Sequence, residues 1–414
     1  MTALPGVTAA QRRTRLARRH LLTAATRVTS AQEVAHALTG LHATDPATVF
    51  LAAAARMRTP TVAAIDAALY DTGPGAEPEL ARVRCMRRTL FVVPAALAPT
   101  VWHATAKSSD PHRADATAKL RDALGWDERR RAAVERALLD ALAARGEASA
   151  AELAADVPDL GEQFVVSPEK PYASRQRAAS PVLGLLAAEG RVRRARPVGS
   201  WTSGQFRWAP ARPQPPLPAA EARTELARRY LAAFGPVTVD DLKWWTGWTL
   251  TATRAALAAT AAQAVELAEG TGHVLPEDVD PLPAAAPEAA LLPGLDPTAM
   301  GWRHRDWYLD PAYTPELFDR NGNIGPTVWW GGRVIGAWSQ GPDGHVRHHL
   351  LADPGREART AVEDAIGRLT AFLDGTRVTP CYRTPLERRL SGGGPESGTR
   401  GTLRNRNRRA ARGS

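Results

Sequence analysis

Hydrophobic positions along the chain follow two alternating patterns. Long Ala-rich stretches carry large apolar residues three or four positions apart, the spacing of an amphipathic helix, and they alternate with short runs of Val, Arg and Trp that are typical of strands. The clearest helical pattern spans Arg130–Arg145. Ser149-Ala-Ala-Glu152 then has the residues of a capping box, so it predicts the start of a short second helix.

The segment continues in the order expected of a winged helix. Arg175–Glu189 predicts a third helix that ends at Gly190. Arg191–Pro197 and Gln205–Trp208 predict the two strands of a hairpin. Helix, short helix, helix and hairpin is the order of a helix-turn-helix with a β-wing.

The same order recurs on both sides of this segment. The upstream copy predicts helices and then a strand-like run at Gln11–Ala24, Ser30–Leu38, Thr61–Tyr70 and Ala81–Val93. The downstream copy predicts a helix, a capped helix, a third helix and a strand at Glu221–Phe234, Thr238-Val-Asp-Asp241 onward, Leu250–Ala261 and Ala264–Leu267. We therefore expect three winged helices in tandem.

The remainder of the chain has a different pattern. Leu291–Leu309 and Ile324–Leu351 alternate aromatic and polar residues between Gly turns, which predicts a β-rich domain that is closed by a helix at Arg356–Leu373 and a strand near Thr376–Tyr382. The predicted fold class is α+β, with three tandem winged-helix motifs, a β-rich C-terminal domain and a flexible basic tail. The predicted domains are 1–105, 106–212, 213–280, 281–390 and 391–414.

Composition narrows the class of protein. The hydrophobic content of 44% and the 12 Trp exclude a wholly disordered chain. Apolar runs such as Phe50–Ala55 are too short to span a bilayer, and Met1–Ala10 lacks the charged start of a secretory signal. Two cysteines exclude a disulfide framework or a Cys-based zinc site, and the scattered histidines predict no metal. We expect a soluble, cytoplasmic, multidomain protein without a cofactor.

The net charge of +10 is unevenly distributed. Half of it lies in the tail, where Arg residues face Glu396 alone, at positions Arg400, Arg404, Arg406, Arg408, Arg409 and Arg412. A flexible Arg-rich arm typically contacts nucleic-acid phosphates without reading sequence. The alternative is a tail that only adds solubility.

One short stretch is a candidate for chemistry. No phosphate-binding loop, dinucleotide fingerprint or nucleophile elbow is present, but Gly40-Leu-His-Ala-Thr-Asp-Pro46 places a histidine near a hydroxyl. If the stretch is extended, His42 and Thr44 point to the same side, where they can hold or activate a water. Asp45 can support them only if a local bend turns it inward. The alternative is that His42 is an ordinary linker residue and that Asp45-Pro46 starts the next helix.

Three further stretches are candidates for nucleic-acid contact. Arg84, Arg87 and Arg88 cluster in a strand-like run and can bind phosphates, unless they form a solvated wing edge. Arg303 and Arg305 lie between aromatic residues, which suits a nucleic-acid surface or packed Trp with snorkelling Arg. Trp201, at a predicted wing tip, either enters a minor groove or belongs to the core.

Six short motifs together resemble one known family, the AlkZ-like winged-helix DNA-binding proteins, over about Arg12 to Leu390. The motifs are Gly40-Leu-His-Ala-Thr-Asp-Pro46, Met86-Arg-Arg-Thr-Leu90, Phe234-Gly-Pro-Val-Thr238, Leu292-Pro-Gly-Leu-Asp-Pro297, Phe318-Asp-Arg-Asn-Gly322 and Gly332-Arg-Val-Ile-Gly-Ala-Trp338. The resemblance implies a concave body of tandem winged helices. It also implies a DNA glycosylase that excises alkylated or bulky purine adducts, in some producers of genotoxic natural products as a self-resistance protein.

The resemblance also implies a catalytic motif of Gln, an apolar residue and then Gln or Asp, with His at the first position in some members. The matching residues here are His42, Ala43 and Thr44, so His42 is a permitted variant and Thr44 departs from the pattern. Thr cannot act as a base, so we expect weaker or narrower catalysis than a carboxylate would give.

The leading hypothesis is therefore a monofunctional DNA glycosylase that acts as a monomer. Its partner is double-stranded DNA carrying N7-alkylated or bulky purine adducts, and no membrane is involved. The expected DNA contacts are arginines, namely Arg84, Arg87, Arg88, Arg303, Arg305, Arg404, Arg406, Arg408 and Arg409. The alternatives are a non-catalytic DNA-binding protein, which the Thr at position 44 favours, and a structural module.

Overall fold

The computed structural model describes residues 4–71, 78–106, 110–166, 174–284 and 286–392. The predicted tail, with Arg404, Arg406, Arg408 and Arg409, lies outside these residues beyond Gly392. Within them the fold is mixed α and β, with five small antiparallel sheets. No helix in the described ranges combines the length and apolar character needed to cross a bilayer. Nor does any group of three or more metal-ligating side chains come together there.

The first segment carries a three-stranded sheet in the order β1-β3-β2. Its elements are α1 (Ala9–Arg19), α2 (Ala31–Ala37), β1 (Leu41–His42), α3 (Pro46–Ala54), α4 (Val62–Tyr70), β2 (Leu80–Arg84), β3 (Leu90–Pro94) and α5 (Ala98–Thr105). Helix α1 ends before the predicted Ala24, because Leu21 adopts a left-handed φ of 58°. The predicted single strand Ala81–Val93 is two strands joined by a turn at Met86–Arg88.

The second segment has a sheet in the order β4-β8-β7 and a separate β5-β6 hairpin. Its elements are α6 (Asp110–Leu124), α7 (Glu128–Arg145), β4 (Ala148–Ser149), α8 (Ala150–Asp156), β5 (Gln163–Val166), β6 (Ser174–Arg177), α9 (Ala179–Ala188), β7 (Val192–Pro197) and β8 (Phe206–Pro210). The capping box at Ser149 is confirmed. The predicted helical start at Arg175 is wrong, because Arg175–Arg177 pairs with β5. Pro181 has no N–H to continue a helix from that point, although it fits the first turn of α9.

The third segment repeats the order on a smaller scale. It contains α10 (Ala219–Phe234), α11 (Val239–Thr246), α12 (Leu250–Ala259), β9 (Gln263–Leu267) and β10 (Gly270–Val274). The capping box predicted at Thr238 is confirmed, with Asp241 as its acidic partner. A backbone bridge from Val237 to His273 adds a short third edge to the hairpin.

The C-terminal segment is built on a four-stranded sheet in sequence order. Its elements are β11 (Ala289–Leu292), β12 (Thr327–Trp330), β13 (Arg333–Gln340), β14 (Val346–Leu350), and the helices α13 (Thr314–Leu317), α14 (Arg356–Leu373) and α15 (Pro385–Leu390). Most of the predicted β-rich run Leu291–Leu309 is loop after β11. The predicted strand Thr376–Tyr382 is wrong: Val378 N–H donates to the Gln340 side chain rather than to a strand, at 2.8 Å.

The buried core joins distant parts of the chain. One large apolar cluster contains Leu16 and Met86 from the first segment, Phe234 from the third and Trp329 from the C-terminal sheet. The second segment has its own cluster, around Leu138. The second segment therefore packs around its own core, beside the rest of the described molecule.

The β7–β8 hairpin of the second segment is anchored in a neighbouring core. Trp201, in the β7–β8 loop, is 8% exposed, and its ring lies 5.1 Å from Phe50 and 5.9 Å from Phe372. The core interpretation of Trp201 is confirmed, and this ring is not available for a DNA groove. The anchor holds the second segment against the first and leaves a cleft between them.

Candidate active site

The stretch from Gly40 to Pro46 is held by the edge of β3. Leu41 and His42 pair with Val92 and Phe91, and Ala43 N–H donates to Leu90 O at 2.8 Å. Gly40 has a φ of 116°, and a Cβ on it would lie 2.9 Å from a Val93 methyl group. The strand can approach this closely only because that residue is glycine.

His42 is buried and is not among the described residues that line the cleft. Its side chain is 4% exposed, its ring lies 5.2 Å from Phe91, and Thr44 N–H points to its Nδ1 at 3.5 Å. Burial, and then the charge of Arg87, lower the pKa of His42 to about 4. The imidazole is therefore uncharged at neutral pH and offers one donor and one acceptor, the same pair that a glutamine amide offers.

Thr44 and Asp45 face in different directions. Thr44 is half-buried and lines the cleft. Asp45 is 6% exposed, and its two oxygens accept hydrogen bonds from Ala47 N–H at 3.1 Å and Cys381 N–H at 2.8 Å. Asp45 is the N-cap of α3, as the alternative interpretation of Asp45-Pro46 predicts. The structure therefore places the Thr44 backbone N–H against His42 Nδ1, puts Thr44 but not His42 on the cleft wall, and commits the Asp45 carboxylate elsewhere.

The cleft has a volume of about 820 Å³ and lies between the first and second segments. Its walls include Trp102 and Trp208 and are strongly cationic, with Arg82, Arg84, Arg88, Arg191, Arg193, Arg194 and Arg212. Of the described residues that line it, Glu189 is the one acid, and Glu189 is paired with Arg113 and Arg191. The cleft therefore attracts polyanions and has no free carboxylic acid on its described walls.

Comparison with known proteins decides the family. A family model described as DNA glycosylase AlkZ-like matches residues 35–372, most of the chain. The chain belongs to the AlkZ-like DNA glycosylase family. The solved structure of Streptomyces sahachiroi DNA glycosylase AlkZ has the same fold, with a TM-score of 0.64 and 19% identity over 90% of this chain and 98% of that chain. No curated protein matches significantly.

Membership confirms the resemblance and implies a DNA substrate. In this AlkZ-like chain, two of the predicted DNA contacts line the cleft, Arg84 and Arg88. Arg84 Nε donates to Arg88 O at 3.0 Å, and Arg88 is exposed. Arg87 and Arg88 adopt left-handed φ values of 52° and 62°, so the turn that presents them is strained.

The other predicted contacts pack around Trp244. The Arg87 guanidinium lies 4.0 Å above that ring and Arg305 lies 5.0 Å from it. Burial, and then the charge of Arg305, lower the pKa of Arg87 to about 10. Arg303 is exposed, and its backbone N–H is held by Asp241 at 2.8 Å. These residues adjoin the site but do not line the cleft.

Sequence reasoning missed five arginines that do line it, namely Arg82, Arg191, Arg193, Arg194 and Arg212. The sequence contains the basic run Arg191-Val-Arg-Arg-Ala-Arg196, but it does not reveal which part of the first segment faces this run in the fold. Arg82 lies on β2 and Arg194 on β7, and only the packing of the second segment on the first brings them together.

Proposed function

We propose that this chain hydrolyses the N-glycosidic bond of N7-alkylated or bulky-adducted purines in duplex DNA. The arrangement that supports it is Thr44 on the wall of an arginine-lined cleft, with Nδ1 of the buried, uncharged His42 lying 3.5 Å from the Thr44 backbone nitrogen. The alkylated base would enter the cleft, and a water held by these two side chains would attack the sugar.

The absence of a free acid on the described cleft walls selects the leaving group. A purine alkylated at N7 is cationic, so when the bond from C1′ to N9 breaks, the electron pair moves to N9 and the base leaves neutral without being protonated. The remaining sugar is oxocarbenium-like, and water adds to C1′. A neutral base would need a proton donor, and the one described acid, Glu189, is already paired twice.

His42 and Thr44 divide the work on the water. The uncharged imidazole accepts the proton that the water loses as it adds to C1′. The Thr44 hydroxyl orients the water by hydrogen bonding and supplies no base. Accepting that proton needs an uncharged imidazole, which burial and the charge of Arg87 favour.

Further features support a monofunctional, monomeric enzyme. A lyase step needs an amine nucleophile, and no lysine is among the described residues that line the cleft. Both walls come from one chain. Three repeats of helix, short strand or bridge, two helices and hairpin support the tandem winged-helix description. A role in self-resistance to a DNA-alkylating natural product is supported by the family resemblance alone.

The test is base release from a duplex that contains N7-methylguanine, followed by chromatography under single-turnover conditions. We expect His42→Ala to slow release about a hundredfold or more, the scale of a lost acid–base group. His42→Gln restores a hydrogen-bond donor and acceptor that can hold the water but cannot take its proton, so it should recover only part of that loss. If the wild-type chain binds the duplex and releases no base, it is a damage binder and the proposal is wrong.

A further inference from the structure

Where the two walls of the cleft meet, a cluster of cations surrounds one aromatic ring. Arg82, on β2, and Arg194, on β7, each place the guanidinium carbon 5.0 Å from the centre of the Phe206 ring. Phe206 is 6% exposed, so the ring is a fixed platform. Cation–π contacts of this length hold an arginine through the face of its guanidinium and use none of its N–H groups.

These cations have no anionic partner in the described part of the chain. Arg82 donates to the Tyr70 hydroxyl at 2.7 Å, but its Nε and Nη1 are buried without an acceptor. No acid pairs there with Arg194, and burial followed by the charges of Arg82 and Arg84 lowers the pKa of Arg194. Like charges are thus held close together, at a cost that a bound anion would remove.

The neighbouring Arg196 has the acidic partners that Arg82 and Arg194 lack. Arg196 is two positions further along β7 and pairs with Asp66 at 2.9 Å and Asp71 at 2.6 Å. Burial lowers its pKa, but the hydrogen bond and charge of Asp71, with the charge of Asp66, outweigh this and raise the pKa overall. The same strand therefore carries one neutralised arginine and one that is left without a counter-charge.

We propose that Arg82 and Arg194, held on Phe206, form a clamp for one backbone phosphate of the DNA duplex. This inference rests on the proposed function, because it places the DNA in the cleft that Thr44 lines. The planar guanidinium fork matches a phosphate, and the two arginines come from opposite walls. A phosphate bound between them joins the first segment to the second, and so fixes the width of the cleft while the base is inside.

The experiment measures the affinity of the full-length chain for an unmodified 20-base-pair duplex at a series of KCl concentrations. Each phosphate contact contributes about −0.9 to the slope of log K against log salt. Arg82→Gln and Arg194→Gln should each make the slope shallower by about that amount and weaken binding roughly tenfold near 0.15 M salt. Arg194→Lys keeps the charge and should keep the slope.

Arg196→Gln is the matched control, since it removes the same side chain from the same strand. It should leave the slope unchanged, because Asp66 and Asp71 already neutralise Arg196. Equal slopes for Arg194→Gln and Arg196→Gln, with thermal unfolding confirming that both fold, would overturn the clamp.

Base release from N7-methylguanine DNA at a series of protein concentrations separates the two proposals. We expect the protein concentration that gives half-maximal single-turnover release to rise about tenfold in Arg194→Gln and to stay at the wild-type value in Arg196→Gln, since the clamp acts on binding. Wild type that shows the slopes but releases no base would retain the clamp and remove the glycosylase proposal. Base release by the wild type, together with variant slopes equal to the wild-type slope, would retain the glycosylase proposal and remove the clamp.

Discussion

Arginine is abundant in two regions of this molecule, and it has opposite roles in them. In the junction between α1 and the third and C-terminal segments, which we call the buried junction, each arginine has an acceptor: Arg12 pairs with Glu269, Arg19 with Asp278, and Arg56 with Asp296. In the cleft, Arg82 and Arg194 have no acid partner among the described residues. Pairing, rather than the number of charges, therefore separates arginines that hold the fold from arginines that await a ligand.

Two buried histidines repeat the contrast. His20, in the buried junction, receives a hydrogen bond from the Thr298 hydroxyl at 2.9 Å and donates to Ala233 O at 3.2 Å. Arg56 donates to the same Thr298 hydroxyl, so the hydroxyl proton is directed to His20 Nδ1. Among the described residues, the one hydrogen-bonding contact of the His42 ring is the long one from Thr44 N–H. Burial lowers the pKa of both rings, so a lowered pKa alone does not mark a site; unused hydrogen-bonding capacity does.

The largest expected effect is a loss of stability when an ion pair of the buried junction is broken. Arg56 and Asp296 are both fully buried and joined by two hydrogen bonds of 2.7 and 2.9 Å. Arg56→Ala leaves the Asp296 carboxylate without its partner, so the free energy of unfolding should fall by about 3–5 kcal/mol in urea titrations. Arg193→Gln in the cleft should change it by less than about 0.5 kcal/mol.

A double variant identifies the origin of that loss. Arg56→Met combined with Asp296→Leu removes both charges, so it should recover most of the stability lost by Arg56→Ala. A double variant as unstable as the sum of the two single variants would mean that shape, and not charge pairing, makes Arg56 important.

The next effect is a loss of stability in acid. The folded pKa values of His20 and His42, about 3 and about 4, lie below the ordinary value of 6.5. As pH falls below about 6.5 the unfolded chain therefore binds protons that the folded chain does not. Both contributions are complete above that pH and decline below it, by about 2 kcal/mol for each ring at pH 5.

His42→Gln separates the two rings. It removes one titrating group, so the fall in unfolding free energy between pH 7 and pH 5 should be smaller than in wild type by about 2 kcal/mol. Urea titrations at pH 7, 6 and 5 measure this. An unchanged pH dependence would show that His42 is accessible to protons in the folded chain.

Local signals in the sequence predicted much of the fold. Capping residues at Ser149 and Thr238 and the pattern of Arg356–Leu373 each specify their own element, and the structure confirms them. The errors at Arg175 and Thr376–Tyr382 come from hydrogen bonds to distant partners. In the second case the partner is the side chain of Gln340, which no local pattern reveals.

The site was predictable only in part, for the same reason. Two-residue alternation predicted that His42 and Thr44 face the same side, but of the two only Thr44 lines the cleft. Whether Asp45 is free depends on Cys381 N–H, more than three hundred positions away. The clamp depends on the docking of β7 beside β2, so no inspection of either strand alone distinguishes Arg194 from Arg196.

A smaller effect concerns Thr44, which faces the cleft but cannot accept a proton. Thr44→Asp adds a carboxylate next to the water, so we expect single-turnover base release to rise about tenfold, a modest share of what a positioned base can supply. Thr44→Asn has a similar size without the charge and should give little gain. Equal rates for the two variants would show that the water does not depend on this position.

The smallest expected effect comes from a comparison of the arginines in the tail with the arginines that line the cleft. Deleting residues 393–414 removes the Arg-rich tail but none of the described cleft residues. If the tail contacts phosphates, unmodified DNA should bind about threefold more weakly, with a shallower dependence of log K on log salt. Single-turnover base release at saturating protein should stay the same, because the tail does not position the base. A salt slope that is unchanged by the deletion would leave the tail a solubility device and assign the DNA affinity to the cleft.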